Sequence, residues 1–340
     1  AGSFSSFLAR PPAASGQIAA AAMATATTMA TTTTASRALA EKRPEPVNGE
    51  AVDGSTRSGL LRIAEMFLPE AELRAAMAVY AWCCRAEGVC YGPDHGNTYH
   101  RIAALNRIES DFKAMRAGDA APSNRIDIDL LRTMQGWPSM RDAPYLDMLA
   151  GMRRLLREGV RYANFEALRQ YAYSTTGTVS LMMLPLLAAD KLSAELEAQA
   201  VDLGIAVNLT NALQVVGVDA EGGRIYLPEE DMKKFGVTSA DIYDARMTPA
   251  YRELIRFQID RVRQLLDSAR TAASSLPGRS RLAVLAVVQY TNAVLDEVLA
   301  RDCDNLSEAV RISPTRKVGV VGSALLAWAR VGWGARTYEV

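Results

Sequence analysis

From about residue 57 onward, apolar residues recur every three or four positions in one segment after another, and no comparable run shows the strict two-residue alternation of a half-buried strand. Pro69-Glu-Ala-Glu-Leu-Arg-Ala-Ala-Met-Ala-Val-Tyr-Ala-Trp-Cys83 places Leu73, Met77, Tyr80 and Cys84 at that spacing, after a proline suited to a first helical turn. Segments 102–115, 145–157, 165–172, 194–216, 249–276 and 280–301 repeat the pattern with Gly, Pro or Asp between them. The period predicts an all-α fold with about eight or more helices around one core, and no internal repeat is visible.

Residues 1–56 are a different material, made mainly of Ala, Thr, Ser and Met, with Arg10 and Arg37 the only charges before Glu41. Such a stretch reads as a non-globular extension. It is either the remnant of an organellar transit peptide or a mature tail that lies along a partner. The helical domain is then expected over 57–332, with a short tail at 333–340.

With 49% hydrophobic residues over 340 positions, the chain can bury one large core or at most two smaller ones. Lys plus Arg and Asp plus Glu both number 38, so no broad attraction to nucleic acid is implied. Four cysteines, with Cys83, Cys84 and Cys90 in one helical stretch, do not make a disulfide framework and suit a reducing compartment. Only Cys83 and Cys90 share a helix face, which favours buried small side chains over a thiolate metal site. No uninterrupted apolar run reaches the roughly 18 residues of a membrane span. The nearest, 178–189 and 318–329, are broken by Pro185 and ended by Arg330. Both read as packed helix, and the second could alternatively lie on a membrane surface or a partner.

Several local patterns, in order along residues 60–330, carry a family likeness. They are Tyr80-Ala-Trp-Cys83 with Arg85 and Gly92-Pro93; Gly151-Met-Arg153; Arg161-Tyr-Ala-Asn-Phe165; and Tyr171-Ala-Tyr-Ser-Thr-Thr-Gly177. They continue with Gly204-Ile-Ala206, Leu209-Thr-Asn211, Gly217, Asp219, Gly223-Arg-Ile-Tyr-Leu-Pro228, Leu295-Asp-Glu297 and the stretch from Asp302 to Arg311. Together they resemble the squalene and phytoene synthase family, most closely plant-type phytoene synthases. The resemblance implies a single large helical domain of the isoprenoid synthase type. Its activity would be Mg²⁺-dependent condensation of two geranylgeranyl diphosphates to phytoene.

Fold and chemistry are separable, so each position of the implied site must be read by itself. The family's first motif, Asp-Glu-Leu-Val-Asp, meets Glu87, Gly88, Val89, Cys90 and Tyr91 here. Its second, Arg-Asp-Val-Gly-Glu-Asp-Ala-Arg-Arg-Gly-Arg, meets Gln214-Val-Val-Gly-Val-Asp219-Ala-Glu-Gly-Gly-Arg224. A diphosphate leaves only if metal ions held by carboxylates neutralise the charge developing on it, and Val215 cannot hold one. Glu87, Tyr91, Val215 and Asp219 are therefore read as vestigial positions with no catalytic residue and no cofactor expected. If the site were active, Mg²⁺ would rest on Glu87, Asp219 and Asp94. Vestigial substrate-binding positions implied by the resemblance are Arg85, Tyr171, Tyr173, Asn211, Arg224 and Tyr226.

Other chemistries find little support. His95 and His100 are the only histidines and read as solvated loop residues. There is no Gly-x-Ser-x-Gly element, and Gly217 with Gly222-Gly223 lacks the lysine and hydroxyl of a phosphate loop. What remains is a phytoene synthase-like scaffold serving as a structural or binding subunit of a larger assembly. A membrane-associated photosystem with its antenna is one such host, and a carotenoid or other isoprenoid in the old tunnel is a candidate ligand. The location expected is the plastid, on the stromal side, with the mitochondrion as the alternative.

Overall fold

The structure, a computed structural model, describes residues 66–91, 96–188 and 192–334. The expected tail at 1–56 lies outside these residues, as do Asp94 and His95. Among the described residues there is no strand. The elements are α1 (Glu70–Tyr91), α2 (Thr98–Ala117), α3 (Arg125–Gly136), α4 (Ala143–Glu158), α5 (Phe165–Ala172), a π-helical turn (Tyr173–Gly177), α6 (Thr178–Ala188) and α7 (Ala194–Gln214). They continue with α8 (Val216–Glu221), α9 (Glu229–Phe235), α10 (Ser239–Tyr243), α11 (Pro249–Ala273), α12 (Gly278–Ala300) and α13 (Pro314–Gly334).

Local chemistry starts many of these helices. Asn97, Asn124, Asn164, Ser193 and Thr248 each accept, through a side-chain oxygen, a backbone N–H of the first turn. Pro249 then occupies the first turn of α11, where its missing N–H costs nothing.

Two apolar clusters organise the domain. One gathers α1 to α4 and α6 around Trp82, Phe112, Tyr145, Met148 and Met182. The other gathers α5, α7, α8, α11 and α12 around Ile205, Leu209, Leu213, Tyr251, Ile255 and Val288. On α1 the deepest stripe is Ala75, Ala76, Val79, Trp82, Cys83, Ala86, Val89 and Cys90, one face round from the Leu73, Met77, Tyr80 and Cys84 spacing. The helix is apolar on most sides, so period alone does not choose a face. The small residues of the adjacent stripe let α3 and α6 approach closely. Cys83 and Cys90 are buried among these, and the Cys83 thiol lies 3.6 Å from Met182 Sδ.

The expected helix over 194–216 is broken. Val215 leaves helical geometry at φ −134°, ψ 28°, and α8 starts afresh. The cause is tertiary. The loop after α12 takes the backbone groups that a continuous helix would have used. Val310 N–H donates to Gln214 O (2.8 Å), and Gly217 N–H donates to Asn305 O (3.0 Å). By length and composition, α12 is the one helix among the described residues able to cross a membrane. The fold packs it centrally and buries most of its length.

Candidate functional site

The second motif spans the break between α7 and α8. Asp219 is buried, and Arg224 pairs with it, Nη2 (3.0 Å) and Nε (3.2 Å) both donating to the same carboxylate oxygen. The Arg224 N–H also donates to Asp219 O (2.9 Å), closing the turn between them. Burial pushes the Asp219 carboxyl above its ordinary pKa, and Arg224 pulls it back down. Gly222 makes this closure possible, because a Cβ there would stand 2.8 Å from Arg224 Nη1. The arginine that the resemblance implies at position 222 would occupy that space. Val215 is buried and apolar, and Glu221 is exposed.

The motif's front end has become part of the core. Gln214, where the resemblance implies arginine, donates through Nε2 to Val310 O (3.0 Å). Asn305 donates to Leu213 O (2.7 Å) and accepts from Tyr251 Oη (2.6 Å). Gly217 sits so close to this loop that a Cβ would fall 1.9 Å from Leu306 O. The loop begins at Asp302 and Cys303, both in the left-handed region (φ 54° and 63°), a strained turn that surrounding contacts must hold. Arg252 (2.6 Å) and Arg256 (3.2 Å) grip the Asp302 carboxylate there.

Beside Asp219 stands an aromatic wall. The rings of Tyr162, Tyr171 and Tyr226 lie 5.3 to 6.1 Å apart by centroid. Tyr226 hydrogen-bonds Tyr171, and burial, Tyr171 and the Asp219 charge all hold its phenol far above the ordinary range. The buried Tyr162 hydroxyl has no hydrogen-bond partner among the described residues. Tyr173 is separate. It lies in the π turn and donates to Asp147 Oδ2 of α4 (2.8 Å), and burial with that bond pushes its phenol up to about 12. Such turns widen a helix by one residue and often mark functional positions. Asn208 fastens this one from α7, donating to Thr175 and Thr176 hydroxyls at 3.1 Å.

The other expected residues are not assembled with these. Arg85 donates to buried Asp127 of α3 (2.9 Å), joining two helices of the first cluster. Glu87 is half-buried on α1, near enough to Cys90 that burial and the Glu87 charge push that thiol up to about 12. The Tyr91 side chain lies outside the described residues. Asn211 lines a cavity of about 10 Å³ between α7 and α12 with Thr210, Gln214, Tyr290 and Thr291, space for about one water. Exposed His100 lies in the first turn of α2 rather than in a loop, its backbone N–H donating to the Asn97 Oδ1 cap (3.1 Å).

Three contributors escaped sequence reading. Tyr162 was inside a quoted motif with no period to single it out. Asp147, four residues before Gly151 on the same helix face, carried a usable spacing signal. The role of Asn305 depends on a contact 92 residues away and had no local signal.

Among the described residues, no three acidic, histidine or cysteine side chains come together as a metal site. The described residues of the second motif do not fit a Mg²⁺-diphosphate centre. The second motif offers one carboxylate, already matched by a guanidinium, where Mg²⁺ demands oxygen ligands in near-octahedral order.

A squalene/phytoene synthase profile matches residues 62–316. The chain is 34% identical over 260 residues to phytoene synthase 1, chloroplastic, of Solanum lycopersicum, covering 75% of this chain and 62% of that one. It is 33% identical to phytoene synthase 2, chloroplastic, of the same species, covering 75% and 82%. Against most such curated relatives the match spans about three fifths of their length, as with the 60% of phytoene synthase from an Oncidium hybrid cultivar. Among solved structures, a dehydrosqualene synthase in complex with ligand superposes with a TM-score of 0.70 at 27% identity, covering 80% of this chain and 92% of that one. A squalene synthase from Alicyclobacillus acidocaldarius, at 23% identity and a TM-score of 0.64, shares the fold.

Proposed function

From membership of the squalene/phytoene synthase family, to which this chain belongs, we propose a phytoene synthase-like protein that no longer performs the family's prenyl transfer and serves as a structural or binding subunit of a larger plastid assembly. One observation carries the reading: the surviving carboxylate of the second motif is spent on Arg224, and its partner position is the buried Val215. A diphosphate entering such a site would meet no metal and few cations. Its departure would leave charge developing in a region of low dielectric with nothing to neutralise it.

The scaffold around the motif supports retention for binding. Gln214, Asn305 and Tyr251 weld the altered stretch into the core, so the domain keeps its shape without the clamp. The tyrosine wall offers π faces to an apolar isoprenoid or carotenoid, a ligand that needs neither metal nor arginine. The plastid is supported by relatives whose names call them chloroplastic, and a photosystem with its antenna is a host of suitable kind.

Purified protein incubated with geranylgeranyl diphosphate and Mg²⁺ or Mn²⁺ tests the reading. It predicts no phytoene, and co-migration of the native chain with a larger particle. Steady phytoene output at an ordinary enzymatic rate would instead make the chain an active synthase.

A further inference from the structure

The last helix, α13, uses one face for its own domain and leaves another outward. Val320 and Ala324 bury against Ala286, Tyr290, Ala293 and Val294 of α12. Around the rest of the helix Val318 is 52% exposed, Leu326 63% and Trp328, at the edge of the buried face, 38%, with half-buried Val321 and Leu325 between them. Positions 318, 321, 325 and 328 follow helical spacing and form one continuous stripe along the helix, and Leu326 widens it on the flank next to Val318.

The charge around this stripe is one-sided. Between positions 310 and 338 the sequence holds Arg311, Arg316, Lys317, Arg330 and Arg336 and no acid, in a chain of formal net charge zero. Arg316 is engaged by Glu297 (2.8 Å) and Asp296 (3.4 Å) of α12, the acids facing this end of the helix. Lys317 is exposed at that end. At the other, the Trp328 indole N–H donates to Gly278 O (3.0 Å), the residue before exposed Arg279. Cations thus flank an outward apolar face that ends in a tryptophan. A bilayer interface with anionic headgroups accepts this combination: apolar side chains enter the acyl boundary, the indole sits at headgroup depth, and lysine and arginine meet the phosphates.

We propose that the outer face of α13 is a docking surface for an anionic lipid bilayer, with the domain lying on the membrane rather than crossing it. This does not rest on the loss of prenyl transfer, and the same surface would seat an active enzyme equally well.

Flotation of the full chain with vesicles tests it, using phosphatidylcholine alone and phosphatidylcholine with about a third phosphatidylglycerol. The proposal expects binding to the anionic vesicles that weakens at high salt. Each cation removed at the flank, as in K317Q or R279Q, should weaken it about fivefold. Leu326→Glu or Val318→Glu should weaken it at least about tenfold, with thermal melting unchanged because both side chains are solvent-exposed. Failure to bind either vesicle, binding indifferent to anionic lipid, or binding unaffected by Leu326→Glu and Val318→Glu would overturn the proposal. So would a stripe that instead captures a second protein chain while ignoring lipid.

Discussion

Asp219 and Arg224 close on each other, two guanidinium nitrogens at 3.0 and 3.2 Å sharing one carboxylate oxygen, in the space that Gly222 leaves open. Folding raises the Asp219 pKa, so the folded state holds that proton more tightly than the unfolded chain. The group therefore favours the folded state at low pH, and this contribution is lost as pH rises through the raised pKa. Gly222→Ala should push the flexible guanidinium aside, remove its lowering influence and shift the Asp219 titration further up. NMR titration of the carboxyl carbon checks the direction. Unfolding free energy should change by no more than about 0.5 kcal/mol, since Gly222 is exposed and its φ of −82° suits alanine.

Gly217→Ala should behave very differently. Its Cβ would meet the backbone oxygen of Leu306, which cannot rotate away as a side chain can. A loss of roughly 1–3 kcal/mol is expected in urea denaturation, with the 302–312 loop released from the motif. Hydrogen exchange at Val310 N–H, bonded to Gln214 O, should speed up in the same variant.

The tyrosines divide by whether their hydroxyls have partners. Tyr162→Phe removes a buried, unpartnered hydroxyl and should leave stability unchanged or raise it by up to about 1 kcal/mol. Tyr173→Phe removes a bond to Asp147 and should lower stability by about 1 kcal/mol. Calorimetric melting of the two variants side by side checks the contrast.

Glu109 on α2 provides an acid-side test. Lys113 (2.6 Å) and Arg153 (2.6 Å) hold its carboxyl below the ordinary pKa. Its contribution is present above the unfolded pKa and is lost as pH falls through the lowered folded value. Glu109→Gln should cost about 0.5–1 kcal/mol near neutral pH. The gap from the parent should vanish in acid denaturation series below that pKa.

Much of the fold was legible because helices announce themselves locally. Asn97, Asn164, Ser193, Thr248 and Pro249 stand at helix starts, and the 165–172 period coincides with α5. Features set by distant contacts were not legible. The break at Val215 arises from Asn305 and Val310, roughly ninety residues onward, and the buried face of α1 is chosen by its neighbours. At the site, the sequence marked the absent carboxylates but gave no hint that Arg224 folds back on the remaining one. That required Gly222 and Asp219 to be seen in space.

The central claim is that this domain cannot seat divalent ions beside a diphosphate. Electron paramagnetic resonance of Mn²⁺, titrated into the purified chain with inorganic pyrophosphate, tests it most directly. The account predicts the spectrum of free Mn²⁺-pyrophosphate at every protein concentration. Two or more protein-bound Mn²⁺ ions per chain, lost on Asp219→Asn, would contradict it.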